Sequence, residues 1–537
     1  MNSKIIYIRL FTLFVSIVFY KQTQAQGIEL VQAGSLEGTV FKGQEVRKLT
    51  QNVVLKNGNM LLFCDTAYQF VATSNVEAYG HVRIQENGKF DVTGKKLVYT
   101  KTNNLATITD NVVLTTKDGS KLYTPVLDYD FKNKNLHYFG GGTIEDKGSV
   151  LKSQQGHYDI NSKIMTFKKD VKIKGQDFES ESDTLQYNTE TKTAYFISPT
   201  KIKSKDGDLI TERGEYNTAT KKSKFSGRTS IVKDDFSIVA DKLDYDEAVG
   251  YGYARGNVKI VSLKDSIIVT GEEAEYKGKS YLRVNNNALL RKKEDGDTLY
   301  IKADTLLSID DSIKKISVLR AFNHAKILKK DFSAICDSLV YNRRDSVINF
   351  YHNPVLWSNN SQMTADSLYI TIRKEKIDKM YMNQNAFLIS QDSAYNFNQM
   401  KGKRMLASFD KGKINQVDVN GNGESNYFAM DQDSIFLGMN YITCGKMIIR
   451  FDSSNAPKTF TFLNKPEAKF IPPSKLSSQD KKLKGFVWRI KEMPTLETMY
   501  AYTPPFTKSE KKKEEKAKQK EEKNRLKEEK KNNRHKH

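Results

Sequence analysis

At 537 residues the chain is long enough for three or four ordinary domains or for one extended repeat array. Only 38% of residues are hydrophobic and Pro occurs 10 times, yet there are 27 Tyr and 28 Phe; such aromatics exclude a disordered chain and favour many half-buried strands over one large helical core. The formal charge of +22 points to anionic partners.

Lys4 and Arg9 precede an apolar run from Leu10 to Tyr20, with Thr23 and Ala25 at the −3 and −1 positions of a signal-peptidase site. Residues 1–25 therefore read as a signal peptide cleaved after Ala25. The run is well short of the roughly 20 residues that span a bilayer, so a retained anchor is the lesser alternative. No Cys follows the site to carry a lipid. Export turns the expected partner from nucleic acid to anionic lipid or glycolipid.

From Val53 onward one pattern recurs every 29 to 33 residues. A Tyr slot falls at Gln69, Tyr99, Tyr129, Tyr158, Tyr187, Tyr216, Tyr245, Tyr276, Ser308, Tyr341 and Ile370. Five residues earlier stands a small side chain: Cys64, Gly94, Thr124, Ser153, Ser182, Thr211, Ala240, Gly271, Ala303, Cys336 and Ala365. Two residues before the Tyr slot comes Leu or a small residue, as at Leu97, Leu127, Leu185 and Leu243. The even offset puts Leu and Tyr on one strand face, and the odd offset of the small slot implies a bulge or bend. After a polar turn a second strand carries period-2 pairs, Val82/Ile84, Val112/Leu114, Val171/Ile173 and Val258/Ile260. Strand, turn and strand repeated in this way predict an antiparallel all-β stack whose units bury their apolar faces only against neighbours.

The repeats are expected over residues 26–372 and, in more divergent form, over 373–490, where Gly402-Lys403-Arg404-Met405 and Cys444-Gly445-Lys446-Met447 restate the slots. Pro494, Pro504 and Pro505 then mark residues 491–537 as a linker and a Lys/Glu-rich tail. Lys508 to His537 holds +7 of the formal charge and one large apolar residue, Leu526, so it has no face to bury and reads as disordered and solvated, or as an arm for anionic surfaces.

No catalytic or metal constellation is expected, and no cofactor. Cys64, Cys336 and Cys444 all occupy the small slot and read as packing residues rather than disulfide partners or ligands. The acidic residues after that slot, from Asp65 to Asp366, lack Ca²⁺-loop spacing and read as solvent-facing partners of Lys. His81, His137, His157, His324 and His352 stand alone in the sequence. Lys277-Gly278-Lys279-Ser280 lacks the upstream glycine of a phosphate loop.

The slot pattern, together with Asp110-Asn111-Val112-Val113-Leu114 and Gly256-Asn257-Val258-Lys259-Ile260, resembles the OstA/LptA-like family of lipopolysaccharide-transport proteins over about Val53 to Phe470. The resemblance implies a long, antiparallel, V-shaped β-jellyroll, or β-taco. Its apolar groove would hold the acyl chains of lipopolysaccharide or a related glycolipid and help carry them across the periplasm for outer-membrane assembly. Its partners would be the jellyroll-containing inner- and outer-membrane transport components, joined by edge-strand pairing. The expected lipid-facing residues are Val82, Ile84, Leu97, Val112, Leu114, Leu127, Val171, Ile173, Leu185, Leu243, Val258 and Ile260. Two rival readings remain: an exported β-solenoid enzyme acting on polysaccharide, and a ligand-free structural repeat protein.

Overall fold

The structure, a computed structural model, describes residues 28–502 except 87, 206, 279, 295, 375, 393, 411–412, 432–434 and 453–456. The signal-peptide expectation and the Lys/Glu tail lie outside the described residues. These form 36 strands, two short 3-10 turns and one five-residue helix, and divide into two compact units that meet in sequence at Gln176 and Asp177.

Unit 1 contains β1 (Glu29–Gln32), β2 (Ser35–Phe41), β3 (Gln44–Asn57), β4 (Met60–Phe70), β5 (Val76–Glu86), β6 (Phe90–Thr100), β7 (Leu105–Thr116), β8 (Lys121–Asp130), β9 (Asn135–Asp146), β10 (Ser149–Asp159) and β11 (Ile164–Lys174). From β3 on, each strand pairs antiparallel with its neighbour in sequence, while β1 and β2 pair with the two halves of β3. Antiparallel neighbours need only short connections, which is what the polar turns supply.

Each long strand is broken near its middle. Thr50 faces Thr66 and Val53 faces Cys64, so Gln51 and Asn52 oppose the single residue Asp65. Both inserted residues have left-handed backbone, as do Gly80-His81, Asp110-Asn111, Gly140-Gly141 and Lys169-Asp170 on alternate strands. This two-against-one bulge bends the ladder, and Gly, Asn, Asp and His are the residues that enter the left-handed region at least cost. Unit 2 repeats the device at Gly256-Asn257, Asn286-Asn287, Asn323-His324, His352-Asn353, Gln384-Asn385, Gly421-Asn422 and Asn464-Lys465.

The bend explains the small slot. A Cβ on Gly94 would lie 2.6 Å from Ile108 Cγ2, and one on Gly271 2.5 Å from Val284 Cγ1. Where the slot holds a donor, it closes the bend: Thr124 Oγ1 donates to Val126 O at 3.2 Å, Ser153 Oγ to Gln155 O at 3.0 Å, Thr211 Oγ1 to Arg213 O at 2.9 Å and Cys444 Sγ to Lys446 O at 3.2 Å. All three cysteines are buried and free.

The acidic row departs from the sequence expectation of solvent-facing pairing with Lys. Four of its members grip a left-handed residue across the bend instead: Asp65 with His81 Nδ1 at 2.8 Å, Asp241 with Asn257 Nδ2 at 2.7 Å, Asp304 with His324 Nδ1 at 3.2 Å and Asp366 with Asn385 Nδ2 at 2.9 Å. The physical reason is local: the bulge turns its own side chains toward the single residue opposite, and a carboxylate there accepts what they donate.

Unit 2 runs from the strand Phe178–Asn188 to the edge strands Pro457–Leu463 and Glu467–Ile471, both paired with Phe436–Phe451. Beyond Ile471 the chain turns back and crosses the outer face of its own sheet as an extended strap. Asn426 Nδ2 donates to Asp480 O at 2.9 Å, Gln399 Nε2 to Lys481 O at 2.7 Å and Gln362 Nε2 to Val487 O at 2.7 Å. Leu483 enters a cluster with Phe387 and Ile389, flanked by Phe397, Phe486 and Trp488. The strap ends in α1 (Leu496–Tyr500), capped by Thr495, where Lys302 Nζ donates to Ala501 O. Residues 491–502, expected as linker, are packed against the sheet of unit 2: besides the Lys302 contact, Tyr500 meets Tyr300 with ring centroids 6.1 Å apart and Met499 is buried.

Candidate functional site: two apolar limbs

The mid-strand bend divides each sheet into two limbs. In unit 1 the limb carrying the Tyr slots has an inward row Ala67, Ala78, Leu97, Ile108, Leu127 and Tyr138, each directly opposite the next across successive strands. A second row runs Val76, Tyr99, Ala106, Tyr129 and Leu136. The other limb carries Leu55, Leu62, Ile84, Val92, Leu114, Leu122, Ile144, Leu151 and Ile173 in one row. Unit 2 continues both kinds of row, with Leu243 between Phe225 and Ala254 and Ile260 between Ile238 and Val269.

All twelve residues expected to face lipid lie on these rows or beside the bend. Leu97, Leu127, Leu185 and Leu243 belong to the Tyr limb; Val82, Ile84, Val112, Leu114, Val171, Ile173, Val258 and Ile260 belong to the other. Ten are buried, and Ile173 and Ile260 are half-buried. The alternate positions Arg83, Lys172 and Lys259 are exposed and Val113 is intermediate. The expected Val/Ile pairs and the expected Leu residues stand on separate strands, Val82 and Ile84 on β5 and Leu97 on β6. Each strand passes through both limbs, so Val92 and Leu97 share β6, and the bulge between them sends them to different limbs.

The limbs of unit 1 face one another. Leu55, Leu62 and Ile84 from one and Leu97 and Ala106 from the other line a common cavity of about 20 Å³, room for about one water. At the mouth, Tyr129 packs against Phe90 of the opposite limb with ring centroids 5.9 Å apart, and in unit 2 Tyr276 meets Phe236 at 6.5 Å. Tyr99 is fully buried and its hydroxyl donates to Asn104 Oδ1 at 2.8 Å. Burial pushes the phenols of Tyr99, Tyr129 and Tyr276 above their ordinary range, so they stay neutral and serve as amphipathic closures. Further along, Tyr158, Tyr187, Tyr216 and Tyr245 are half-exposed.

Glycines directly opposite two of the tyrosines fix how those rings lie. A Cβ on Gly252 would fall 2.1 Å from Tyr276 Cζ, and one on Gly156 2.0 Å from Tyr138 Cε1. Tyr138 also shares a 2.6 Å hydrogen bond with Ser153. The arrangement offers apolar surface and neutral hydroxyls, and among the described residues no three His, Cys, Asp or Glu side chains are placed to hold a metal. Sequence reasoning missed the paired left-handed residues that make the limbs. Their signal was present in Asp110-Asn111 and Gly256-Asn257, each preceding an inward Val.

Residues 25–183 and 181–241 match the family model described as OstA-like protein. No curated protein matches the chain. Among solved structures, LptH from Pseudomonas aeruginosa, described as the LptA homologous periplasmic component of the conserved lipopolysaccharide transport device, is similar at 17% identity over 22% of this chain and 82% of that one, with a TM-score of 0.19.

Proposed function

We propose, from the match of residues 25–241 to the family model described as OstA-like protein, that the chain holds the acyl chains of lipopolysaccharide or a related glycolipid between its limbs. In this reading it helps carry them through the periplasm toward the outer membrane, with jellyroll-containing transport components as its partners. The observation that carries the reading is the pair of continuous apolar rows facing each other across one bend, with the rings of Phe90 and Tyr129 meeting between the limbs. Each methylene moved from water into such an interior is worth about 0.8 kcal/mol. Part of that gain is offset, since an entering chain displaces contacts the limbs already make with each other, and binding is coupled to opening of the mouth. The chain's part is binding, without chemistry on the ligand.

Photocrosslinkers at Ile84, Leu114, Ile173 and Ile260 test this in cells. Capture of lipopolysaccharide at these positions, with none at Arg83, Val113, Lys172 and Lys259, supports the reading; equal labelling of the two sets, or none, overturns it. A second reading, a ligand-free structural repeat, draws on the small volume of the cavity shared by the limbs of unit 1 and the burial of the residues around it. It expects no lipid in a mass-spectrometric extract of the protein purified from its own envelope.

A further inference from the structure

The outer face of the Tyr limb in unit 1 carries a groove of about 510 Å³ that the lipid reading leaves unused, a volume within the roughly 300–1,000 Å³ of small-molecule sites. Thr107, Asp128, His137, His157 and Thr166 form one row across it, from β7 to β11, each directly opposite the next. Gln155 and Lys168 are opposed in the row on one side, and Asp130 and Asn135 in the row on the other. Even spacing along each strand puts all of them on one face. The lining excludes three classes of ligand. Two carboxylates, Asp128 and Asp130, against the single ammonium of Lys168 repel an anion. Among the described residues no three His, Cys, Asp or Glu side chains are placed to hold a metal. Leu105 and Gly156 alone make up the apolar part of the lining, too little for a lipid tail.

What the groove offers instead is hydrogen bonding in both directions. The Thr107 hydroxyl donates to Asp128 Oδ1 at 2.6 Å and orients the carboxylate, which leaves Oδ2 to accept from a ligand. Asp130 accepts from the backbone N–H groups of Lys132 and Asn133, both at 2.9 Å, and is a fixed wall. The Gln155 amide has a donor end and an acceptor end. Burial, and then the neighbouring His137, holds His157 below the ordinary histidine range, so at neutral pH its ring is uncharged and likewise offers one donor and one acceptor. Asn135 Oδ1 is buried in the wall without a hydrogen-bond partner. At the rim, Phe139 lies opposite Gln155, is 37% exposed and has its ring centroid 5.6 Å from that of His137.

We propose that this groove binds a neutral saccharide through a pyranose ring. A pyranose carries adjacent hydroxyls, each able to donate and to accept, which match the paired ends of a carboxylate, an amide and a neutral imidazole. Its C–H face is apolar and packs on an aromatic ring such as Phe139. The site does not rest on the lipid reading, since it lies on the opposite face of the sheet from the apolar rows. The headgroup of a glycolipid and a free glycan both present this chemistry.

Two soluble probes separate these sources: the lipid-free oligosaccharide released by mild acid from the cell's own glycolipid, and chitotetraose, a neutral free glycan. Saturation-transfer NMR and calorimetry on the full chain should show saturable binding of at least one probe at about 1 mM or tighter. Binding of the first alone assigns the groove to a headgroup; binding of chitotetraose, alone or as well, marks a site for pyranoses of either origin. Gln155→Ala and His157→Ala should each weaken the affinity about tenfold. Asp128→Asn keeps the acceptor for Thr107 but removes the charge, and should weaken it by about as much. All three should melt within about 2 °C of the unsubstituted protein. In the unsubstituted chain the bound probe should protect His157 from diethyl pyrocarbonate while leaving His352 reactive, which needs no variant to fold. No saturable binding of either probe up to about 10 mM, binding retained in all three variants, His157 equally reactive with and without sugar, or displacement of the probe by inorganic phosphate would overturn the site.

Discussion

Gln399 and Leu483 lie 84 residues apart and meet at a single buried clamp: Gln399 Oε1 accepts from the Leu483 backbone N–H at 2.8 Å, while its Nε2 donates to Lys481 O at 2.7 Å. Gln362 repeats the arrangement on Val487 and Arg489, at 2.7 and 2.6 Å. Both glutamines are 1% exposed. A side-chain amide has one acceptor and one donor end, which matches a C=O and an N–H on a passing extended chain.

Gln399→Leu leaves that C=O and N–H buried and unpaired, and should cost about 2–4 kcal/mol, read as a lower urea midpoint at unchanged slope. Ending the chain at Ile471 should cost more, since it uncovers Phe387 and Ile389. Ending it at Tyr502 should leave the melting temperature unchanged within about 2 °C, because the clamps remain.

Asp241 stands at a bend between Asn257 and Arg228, and these hydrogen bonds, Asn257 first, hold its carboxyl below the ordinary range. A depressed carboxyl stabilises the fold above its unfolded pKa of about 3.9, and that contribution is lost as pH falls through the lower folded value. Asp241→Ala should therefore melt below the unsubstituted protein at neutral pH, and the two curves should converge in acid. A constant gap across the range would show that the ionised carboxylate is not what matters.

Burial pushes the thiols of Cys64 and Cys336 up to about 12, with the Asp65 charge adding to the effect at Cys64, and raises Cys444 as well. At about pH 8 the native protein should react with a thiol reagent at less than one-hundredth the rate of the unfolded chain, and unfolding should release three thiols. Cys444→Ser should cost under about 1.5 kcal/mol, because a hydroxyl can replace the bond to Lys446 O as Ser153 does toward Gln155.

Gly252→Ala puts a methyl into the Tyr276 ring, which is 9% exposed and has little room to yield. We expect a loss of about 1–3 kcal/mol. Pairing it with Tyr276→Leu in a double-mutant cycle should recover about 1 kcal/mol as coupling. Additive losses would mean that the ring moves freely.

The sequence alone determined the strands and their inward faces. The period of 29 to 33 residues, the even Leu-to-Tyr offset and the Val/Ile pairs are local patterns, and a strand's two faces follow from alternation along it. Even the bend was legible, through the odd offset from Gly94 to Leu97 and the small residues that recur there. The tertiary structure decided what local pattern cannot encode. Val92 and Leu97 go to opposite limbs of one strand because two left-handed residues on β7, Asp110 and Asn111, face one residue, Lys95, across a bulge, which is a property of the pair of strands. His137 and His157, isolated in sequence, stand opposite each other through the register of β9 on β10. Gln362 and Gln399 read as ordinary polar strand residues until the chain returns more than 80 positions later and its backbone supplies their partners. Hydrogen-bonding capacity is written in the residue, but which group satisfies it depends on where the rest of the chain passes.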